Sequence, residues 1–460
     1  MKSGSIVFLS LGALAAAAPQ VTLTPLSGPI PPVRSSEVTG PTSHGPFSGT
    51  PTVTGALSRP ATAMSIAPAG SPVVTYTNDN GDLQATYMPV PYQPAGGQGL
   101  NGTTPYYHPL SDFDYESLTL ALYQEWIELD LFHNGLARFS VQDFEAAGLT
   151  AEDRFLIEFM ADQEVGHATL LSNILGPAAP PQCTYNYPYN TVREFIDFCQ
   201  KLTRFGESGV YGFLGHLDSR ESATLLLQSI STEARQQLIF RQFDGLFPMP
   251  VWFEVGVPQS FAWTLLAPYI SSCPANTTRL AWQNFPSLTI LNQPNPAKTN
   301  PNLGTPQPAT GSNPLNSSGI ADSNRCIHAS GESSDCGPAI SQNRSIPLSY
   351  PGRPIHLSWG NVNQTVGPNN SYVTSRSPLA DAPRYAMFLS QLNATYVPLL
   401  NISGNTASVI QPNMSTFAGD PAVNGTIFIS VVSQNPYVTP FNVSMVLPYV
   451  WAGPSLYQAG

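Results

Sequence analysis

Glu164 and His167 are the residues from which chemistry is most readily expected, because their types and spacing suit a metal ion. They lie three residues apart in the segment F-L-I-E-F-M-A-D-Q-E-V-G-H-A-T-L-L, residues 155–171. The segment has the apolar spacing of a helix, and both polar residues fall on its apolar stripe. A carboxylate and an imidazole one turn apart can bind the same ion. The spacing therefore predicts half of a metal site in a helical core.

Three further predicted helices also carry a glutamate on their apolar stripe. These residues are Glu125, Glu207 and Glu233, and Gln236 follows Glu233 by one turn. A buried carboxylate is costly unless a proton, an arginine or a cation compensates its charge. Two divalent ions would neutralise four such glutamates, which is the arrangement of di-iron carboxylate bundles. The alternative is a metal-free core in which Glu164 and His167 are a hydrogen-bonded pair.

Four long helical patterns must position these side chains. The predicted helices cover residues 111–138, 150–176, 191–217 and 220–243, and a shorter fifth covers residues 259–269. Ser111 or Asp112 and Thr150 are suitable N-caps, and Gly176 is a suitable stop. Helices of this length in this order match an antiparallel four-helix bundle, which we predict for residues 106–275.

Beyond residue 276 the helical spacing disappears. Residues 276–325 form an Asn/Pro-rich connection, and residues 326–460 contain short β-type runs separated by Gly, Pro and Asn, the last being F-N-V-S-M-V-L at 441–447. Such runs are typical of an antiparallel sandwich. The predicted fold class is therefore α+β and multi-domain, with a four-helix bundle followed by a β-rich, sandwich-like domain.

The first hundred residues indicate export. Residues 1–18 combine Lys2, a short apolar core and a run of alanines, as a secretory signal peptide does. A transmembrane anchor is the alternative for this segment. Residues 19–105 are rich in Pro, Ser, Thr and Gly, which predicts a disordered stalk. No other stretch is apolar over the roughly 18 residues that a membrane span needs.

Eleven N-x-S/T sequons agree with export, and ten of them lie beyond residue 275. Their asparagines are Asn101, Asn276, Asn316, Asn343, Asn363, Asn369, Asn393, Asn401, Asn413, Asn424 and Asn442. We therefore expect a secreted, extracellular or wall-associated glycoprotein whose C-terminal half is heavily glycosylated.

Five cysteines in an oxidising compartment allow two disulfides and one free thiol. Cys199 shares the apolar stripe of its helix and is predicted to be a buried free thiol. Cys183 and Cys273 lie outside the helices, whereas Cys326 and Cys336 enclose a short polar loop. Spacing does not fix connectivity, and our prediction is the pairing Cys183–Cys273 and Cys326–Cys336.

Charge restricts the classes of partner. Charged residues make up 10% of the chain, and the formal net charge is -11. Nucleic acid and anionic membrane surfaces are bound through basic patches, and the chain has no run of Lys or Arg. These partners are disfavoured, while a cell-wall polysaccharide and an unidentified small-molecule substrate stay open.

Four long stretches carry a family resemblance. They are Q-E-W-I-E-L-D-L-F-H-N-G-L-A, D-Q-E-V-G-H-A-T-L-L, F-G-E-S-G-V-Y-G-F-L and S-T-E-A-R-Q-Q-L-I-F-R-Q-F-D-G-L-F-P-M-P-V-W-F-E, with G-P-N-N-S-Y and L-Y-Q-A-G towards the C-terminus. The chain resembles the fungal secreted ferritin-like proteins described as stress-response or late-sexual-development proteins. The resemblance covers nearly everything after the stalk and implies a ferritin-like fold over residues 111–245.

The resemblance also implies a ligand set and a chemistry. The implied ligands are Glu125, Glu164, His167, Glu207, Glu233 and, where the family has a second histidine, Gln236. Glu128 is the second candidate for the ligand of the first helix. One or two ions of iron or manganese would support metal-dependent redox chemistry, although a neutral amide is a weaker ligand than imidazole. The alternative is a structural glycoprotein of the cell wall or of development, not an enzyme, that keeps the fold without metal.

Overall fold

The computed structural model describes residues 107–244, 248–275, 277, 279–294, 326–327, 340–341, 349–420 and 425–458. All of these residues belong to one compact unit of the chain. The predicted signal peptide, the stalk and the Cys326–Cys336 pairing lie outside what is described, as do five sequon asparagines. These are Asn101, Asn276, Asn316, Asn343 and Asn424.

The helices of the described chain are α1 Asp112–Arg138, α2 Val141–Ala146, α3 Ala151–Leu175, α4 Val192–Phe213, α5 Arg220–Phe243 and α6 Gln259–Leu266. The four long helices begin where serine or threonine hydroxyls accept backbone N–H groups. They confirm the four long helical patterns. The third pattern ends early because Leu214–His216 continues as a 3-10 turn. Helix α2 was not predicted, since six residues are too few to display a helical period.

Helices α1, α3, α4 and α5 form the bundle, in which α1 packs most extensively against α3 and α4 against α5. The amide of Gln124 donates to the carbonyl of Leu202, at 3.0 Å, and Gly135 lies against Phe195, so α1 and α4 are antiparallel. A Cβ at Gly135 would lie 2.1 Å from the ring of Phe195, which explains the glycine. No helix in the described part of the chain has the length and apolarity needed to cross a membrane.

The strands follow in chain order. They are β1 Thr184–Tyr185, β2 Ile270–Ser272, β3 Leu288–Ile290, β4 Cys326–Ile327, β5 Ile340–Ser341, β6 Pro354–Trp359, β7 Thr365–Val366, β8 Tyr372–Val373, β9 Tyr385–Ser390, β10 Asn393–Pro398, β11 Leu400–Ser403, β12 Thr406–Ile410, β13 Thr426–Val432 and β14 Val450–Gln458. Two antiparallel four-stranded sheets have the orders β10-β9-β13-β14 and β11-β12-β6-β3. The predicted α+β class, helices first and antiparallel sheets after, is confirmed. Strand β3 lies inside the stretch predicted as connection.

Strands β9 and β13 are buried on both faces. Phe388 and Ile429 lie in the core between the two sheets. Met387 and Phe428 belong instead to the larger core, which also contains the buried residues of the bundle. Successive side chains of a strand point to opposite faces, so a strand covered on both sides reads as a continuous apolar run. The bundle and the sheet therefore share one hydrophobic core.

The segment F-N-V-S-M-V-L was predicted as a strand, and this prediction is wrong. Residues Val443–Tyr449 form a 3-10 helix. The carboxamide oxygen of Asn442 accepts from the backbone N–H and the hydroxyl of Thr439, which starts a turn before the helix. Val443 and Val446 are buried and Met445 is exposed, so buried side chains recur every three residues, as in a 3-10 helix. Over so short a segment this spacing is easily mistaken for the alternation of a strand.

The disulfide Cys183–Cys273 is present and closes a loop with a sequence separation of 90 residues. It joins the chain before α4 to the chain after α6, beside the short pairing of β1 with β2. Cys199 is a buried free thiol. Both cysteine predictions that fall on described side chains are confirmed.

Candidate metal centre

Four buried glutamates and one histidine meet between α1, α3 and α5. The glutamates are at most 1% exposed, and His167 is 8% exposed. The ligand atoms of Glu125, Glu164 and His167 lie within 4.8 Å of one another, and so do those of Glu125, Glu128 and Glu233. Glu125 belongs to both groups. The two groups therefore form one continuous acidic cluster with a shared member.

Helix geometry explains how three elements present five side chains to one point. Glu125 and Glu128 are three residues apart on α1, and Glu164 and His167 have the same spacing on α3. Residues three apart lie on one face of a helix. Helix α5 adds Glu233 from its buried stripe. Local spacing thus forms each pair, and helix packing brings the pairs together.

The Nδ1 atom of His167 faces carboxylates from three helices. It lies 3.1 Å from Oε2 of Glu164, 3.2 Å from Oε2 of Glu125 and 3.8 Å from Oε1 of Glu233. Burial disfavours the charged imidazole, but the carboxylates of Glu164 and Glu125 outweigh it and raise the pKa of His167 well above its usual range. The carboxylates therefore favour the protonated ring when no cation is bound.

The pKa values of the four carboxyl groups are shifted in different directions. Burial raises the pKa of Glu125 to about 7 and, with repulsion from neighbouring carboxylates, raises those of Glu128 and Glu233 further. Burial acts in the same direction on Glu164, but the neighbouring His167 and hydrogen bonds lower the pKa of this carboxyl. Glu164 is the residue that carries negative charge beside the imidazolium in the metal-free protein.

Two glutamine amides hold the carboxylates in place. Nε2 of Gln236 donates to Oε1 of Glu164 at 2.5 Å, and Nε2 of Gln124 donates to Oε1 of Glu128 at 2.8 Å. Gln236, which stands where the family pattern has a second histidine, thus presents a donor to a glutamate. It orients a neighbouring acid in the geometry observed.

The residues present fit a cation. Within the described part of the chain, no hydrogen-bond donor reaches Oε2 of Glu128, Oε2 of Glu233 or Oε1 of Gln236, although all three atoms are buried. An unpaired buried acceptor costs free energy, and carboxylate oxygens are ligands for iron and manganese. An ion bound by Glu125, Glu128 and Glu233 would satisfy the unpaired carboxylate oxygens.

Glu207, which the family resemblance places among the ligands, lies outside the cluster. Its Oε2 is 3.2 Å from Nη1 of Arg204, which also pairs with Glu254. The reason is the register of α4 against α1. Gln124 lies against Gly206 and Leu202, so Glu207 falls level with the turn before Glu125.

Glu128 completes the cluster instead. It was the second candidate for the first helix, and its spacing from Glu125 was the signal available in the sequence. The neighbouring turn of α4 carries the neutral residue Gln200, whose Oε1 accepts from Gln237 of α5 at 3.3 Å. Helix α1 therefore supplies two carboxylates, and α4 supplies none to either group of ligand atoms among the described residues.

Comparisons with known proteins agree with this architecture. A family model described as a ferritin-like domain matches residues 113–245, which extend from the start of α1 to just past α5. Protein rds1 of Schizosaccharomyces pombe is 49% identical over 384 residues, which are 83% of this chain and 89% of that protein. The matched ferritin-like segment contains every residue of the acidic cluster.

Proposed function

This chain belongs to the family of protein rds1 and contains a ferritin-like domain at residues 113–245, and we propose that it binds iron or manganese at the acidic cluster and supports metal-dependent redox chemistry outside the cell. The observation that carries the proposal is the meeting of His167 with four buried glutamates, two of which have an oxygen without a donor. Such a cluster is costly in a metal-free core. A bound cation removes the cost, because it replaces protons and pairs the carboxylates.

Two unequal positions follow from the donor sets. Glu125, Glu164 and His167 would hold an ion with one imidazole nitrogen, and Glu125, Glu128 and Glu233 would hold an ion with oxygen atoms alone. Iron or manganese bound there would be able to transfer electrons to an oxidant. Imidazole suits iron, whereas carboxylate oxygens suit manganese, so we expect iron to fill the position of His167 first.

Metal binding would require the carboxyl groups of the cluster to release protons. Burial and repulsion from neighbouring carboxylates raise the pKa values of Glu128 and Glu233 and so favour their protonated forms in the metal-free state. Ligands must lose their protons to bind a cation, so metal binding releases protons and is weaker in acid. The amides of Gln124 and Gln236 hold one oxygen of Glu128 and of Glu164 throughout.

Elemental analysis of the purified native protein tests the proposal. We expect about one or two equivalents of iron or manganese in the wild type, loss of most of it in Glu164→Gln, and higher occupancy in Gln236→His. Glu207→Gln is the matched control, because Glu207 is also buried in the bundle but lies outside the cluster. Metal below about a tenth of an equivalent, unchanged in Glu164→Gln, would overturn the proposal.

Secretion and N-glycosylation are part of the same proposal. Residues 1–18 supply the signal-like segment, and the sequon residues Asn363, Asn369, Asn401 and Asn413 are exposed, as glycan attachment requires. We expect the protein in the culture medium or wall fraction, with a large loss of apparent mass after enzymatic removal of N-glycans. An intracellular protein whose mass does not change would contradict this.

A second candidate function is that of a structural wall glycoprotein that binds polysaccharide. An exposed aromatic cluster favours it: Trp252 is 51% and Phe417 is 57% exposed, and the ring of Phe253 lies 6.1 Å from that of Phe417. Oε1 of Gln391 accepts the backbone N–H groups of Trp252 and Phe253 at 2.8 and 3.0 Å, which holds the backbone that carries both rings. Exposed apolar patches of this kind mark interaction sites.

Co-sedimentation with insoluble chitin or β-glucan tests this candidate. Trp252→Ala should lower the bound fraction, because it removes the largest exposed ring of the cluster. Tyr437→Ala is the control, since Tyr437 is 86% exposed and is not part of the cluster. Binding by a metal-free protein, weakened only by Trp252→Ala, would favour the structural role.

A stress-related or developmental role would be tested by deletion of the gene, followed by scoring of survival under stress and of sexual development.

A further inference from the structure

Thr232 of α5 makes two hydrogen bonds through one hydroxyl group at the edge of the acidic cluster. Its Oγ1 donates to the carbonyl of Ser229 at 2.7 Å and lies 2.9 Å from Nε2 of His167. A carbonyl oxygen only accepts, and a hydroxyl has one proton. The hydroxyl of Thr232 has therefore used its proton on Ser229, and towards His167 it can only accept.

This geometry assigns the two nitrogens of the ring. Nε2 of His167 carries the hydrogen that it donates to Thr232, so Nδ1 is the nitrogen left to bind a metal ion. Nδ1 is also the atom that faces Glu164 and Glu125, at 3.1 and 3.2 Å. The partner of one histidine nitrogen determines which nitrogen binds a metal, and such partners orient the ring.

We propose that Thr232 is a positioning residue, which holds His167 in the tautomer and ring orientation that bind a metal ion through Nδ1. The inference rests on the proposed function, because it concerns how the same cluster binds its ion. It assigns a role to a residue that is not itself a ligand. It also explains why a half-buried threonine precedes Glu233 on the solvent side of the cluster.

The exposure of His167 explains why the ring needs this hydrogen bond. Its side chain is 10% exposed, whereas those of Glu125, Glu164 and Glu233 are at most 2% exposed. The imidazole is thus less confined by packing than the carboxylates around it. Rotation of the ring by half a turn would replace Nδ1 with a carbon atom in front of Glu164. The bond to Thr232 opposes that rotation.

Zinc is a suitable probe, because it is diamagnetic and binds imidazole and carboxylate. Its affinity for the metal-free protein is measured by calorimetry, and the coordinating nitrogen of His167 is read from histidine-ring NMR shifts of the zinc-loaded protein. The signals of His167 are assigned with His167→Gln. We expect coordination through Nδ1 in the wild type.

Substitutions of Thr232 distinguish the effect of its hydroxyl on zinc affinity from the effect of its side-chain shape. Thr232→Val keeps the shape but removes the hydroxyl, and it should lower zinc affinity by about 10-fold or more. Thr232→Ser should restore the affinity and the Nδ1 signal. Thr224→Val is the matched control, since the hydroxyl of Thr224 on the same helix donates to the carbonyl of Arg220 at 2.8 Å, away from the cluster.

Each failure has its own pattern. Zinc binding through Nε2 in the wild type, or wild-type affinity with an unchanged Nδ1 signal in Thr232→Val, would overturn the role of Thr232 alone. Equal losses in Thr232→Val and Thr232→Ser would show that the side-chain shape matters and not the hydroxyl, and would overturn it too. No binding of zinc, manganese or iron by the wild type would overturn the proposed function, and this inference with it.

Discussion

Single residues in the acidic cluster are held in protonation states that they would not adopt in water. Burial opposes the charge of Glu125, Glu128 and Glu233 and raises the pKa of each, so that Glu125, whose pKa is about 7, is about half protonated at neutral pH in the metal-free protein. His167 and Glu164 form the compensating charged pair. The free energy of unfolding must therefore depend on pH in a direction that these residues determine.

The metal-free protein should become less stable as pH rises from 5 to 8. The pKa of Glu125 is about 7 in the folded protein and about 4.5 in the unfolded chain, so the folded state binds the proton more tightly between these values. Its contribution is complete below about pH 4.5 and is lost as pH rises through 7, on the order of 3 kcal/mol. Glu128 and Glu233 act in the same direction, whereas Glu164 opposes it.

Thermal melting in EDTA at pH 5, 6, 7 and 8 measures this dependence. Glu233→Gln should flatten it and stabilise the metal-free protein at pH 8 by roughly 1–3 kcal/mol, because a neutral amide replaces a group that resists ionisation. The same variant should bind less metal. A melting temperature that rises with pH in EDTA would show that the cluster is ionised without metal.

Elements differ in how far the sequence determines them. The four long helices are predicted closely because caps and apolar stripes are local. The choice of Glu128 over Glu207 could not be predicted, since it depends on the register of α4 against α1. The strand predicted at 441–447 failed because a period of three over seven residues resembles alternation. Which neighbouring residues cover the two faces of β9 and β13 depends on tertiary packing alone.

Two glycines give an element-scale prediction with an internal control. Gly135→Ala should destabilise the protein by about 1–3 kcal/mol, because the new Cβ would lie 2.1 Å from the ring of Phe195 between α1 and α4. Gly166→Ala on α3 should stabilise it by about 0.5–1 kcal/mol, since no atom lies within 4 Å of its Cβ position. Urea unfolding measures both. Equal effects of the two changes would contradict the helix packing described.

At the scale of the whole molecule, the Cys183–Cys273 bond closes a long loop of the chain that contains α4, α5 and α6. The double variant Cys183→Ser with Cys273→Ser should lose about 2–5 kcal/mol of unfolding free energy, because the unfolded chain becomes less restricted. Cys199→Ala is the control for removal of a buried sulfur, with an expected cost of about 1 kcal/mol. Guanidinium unfolding curves of the three proteins test the comparison, and equal losses would contradict it.

Because they share a core around β9 and β13, the helical bundle and the sheets of the described chain are not expected to fold separately. A fragment that ended before β3 would leave apolar bundle residues without the face formed by Met387 and Phe428. Calorimetry of the intact protein should accordingly show one cooperative transition covering helices and sheets together. In evolutionary terms, we expect the bundle and sheet residues that meet in this core to change in concert.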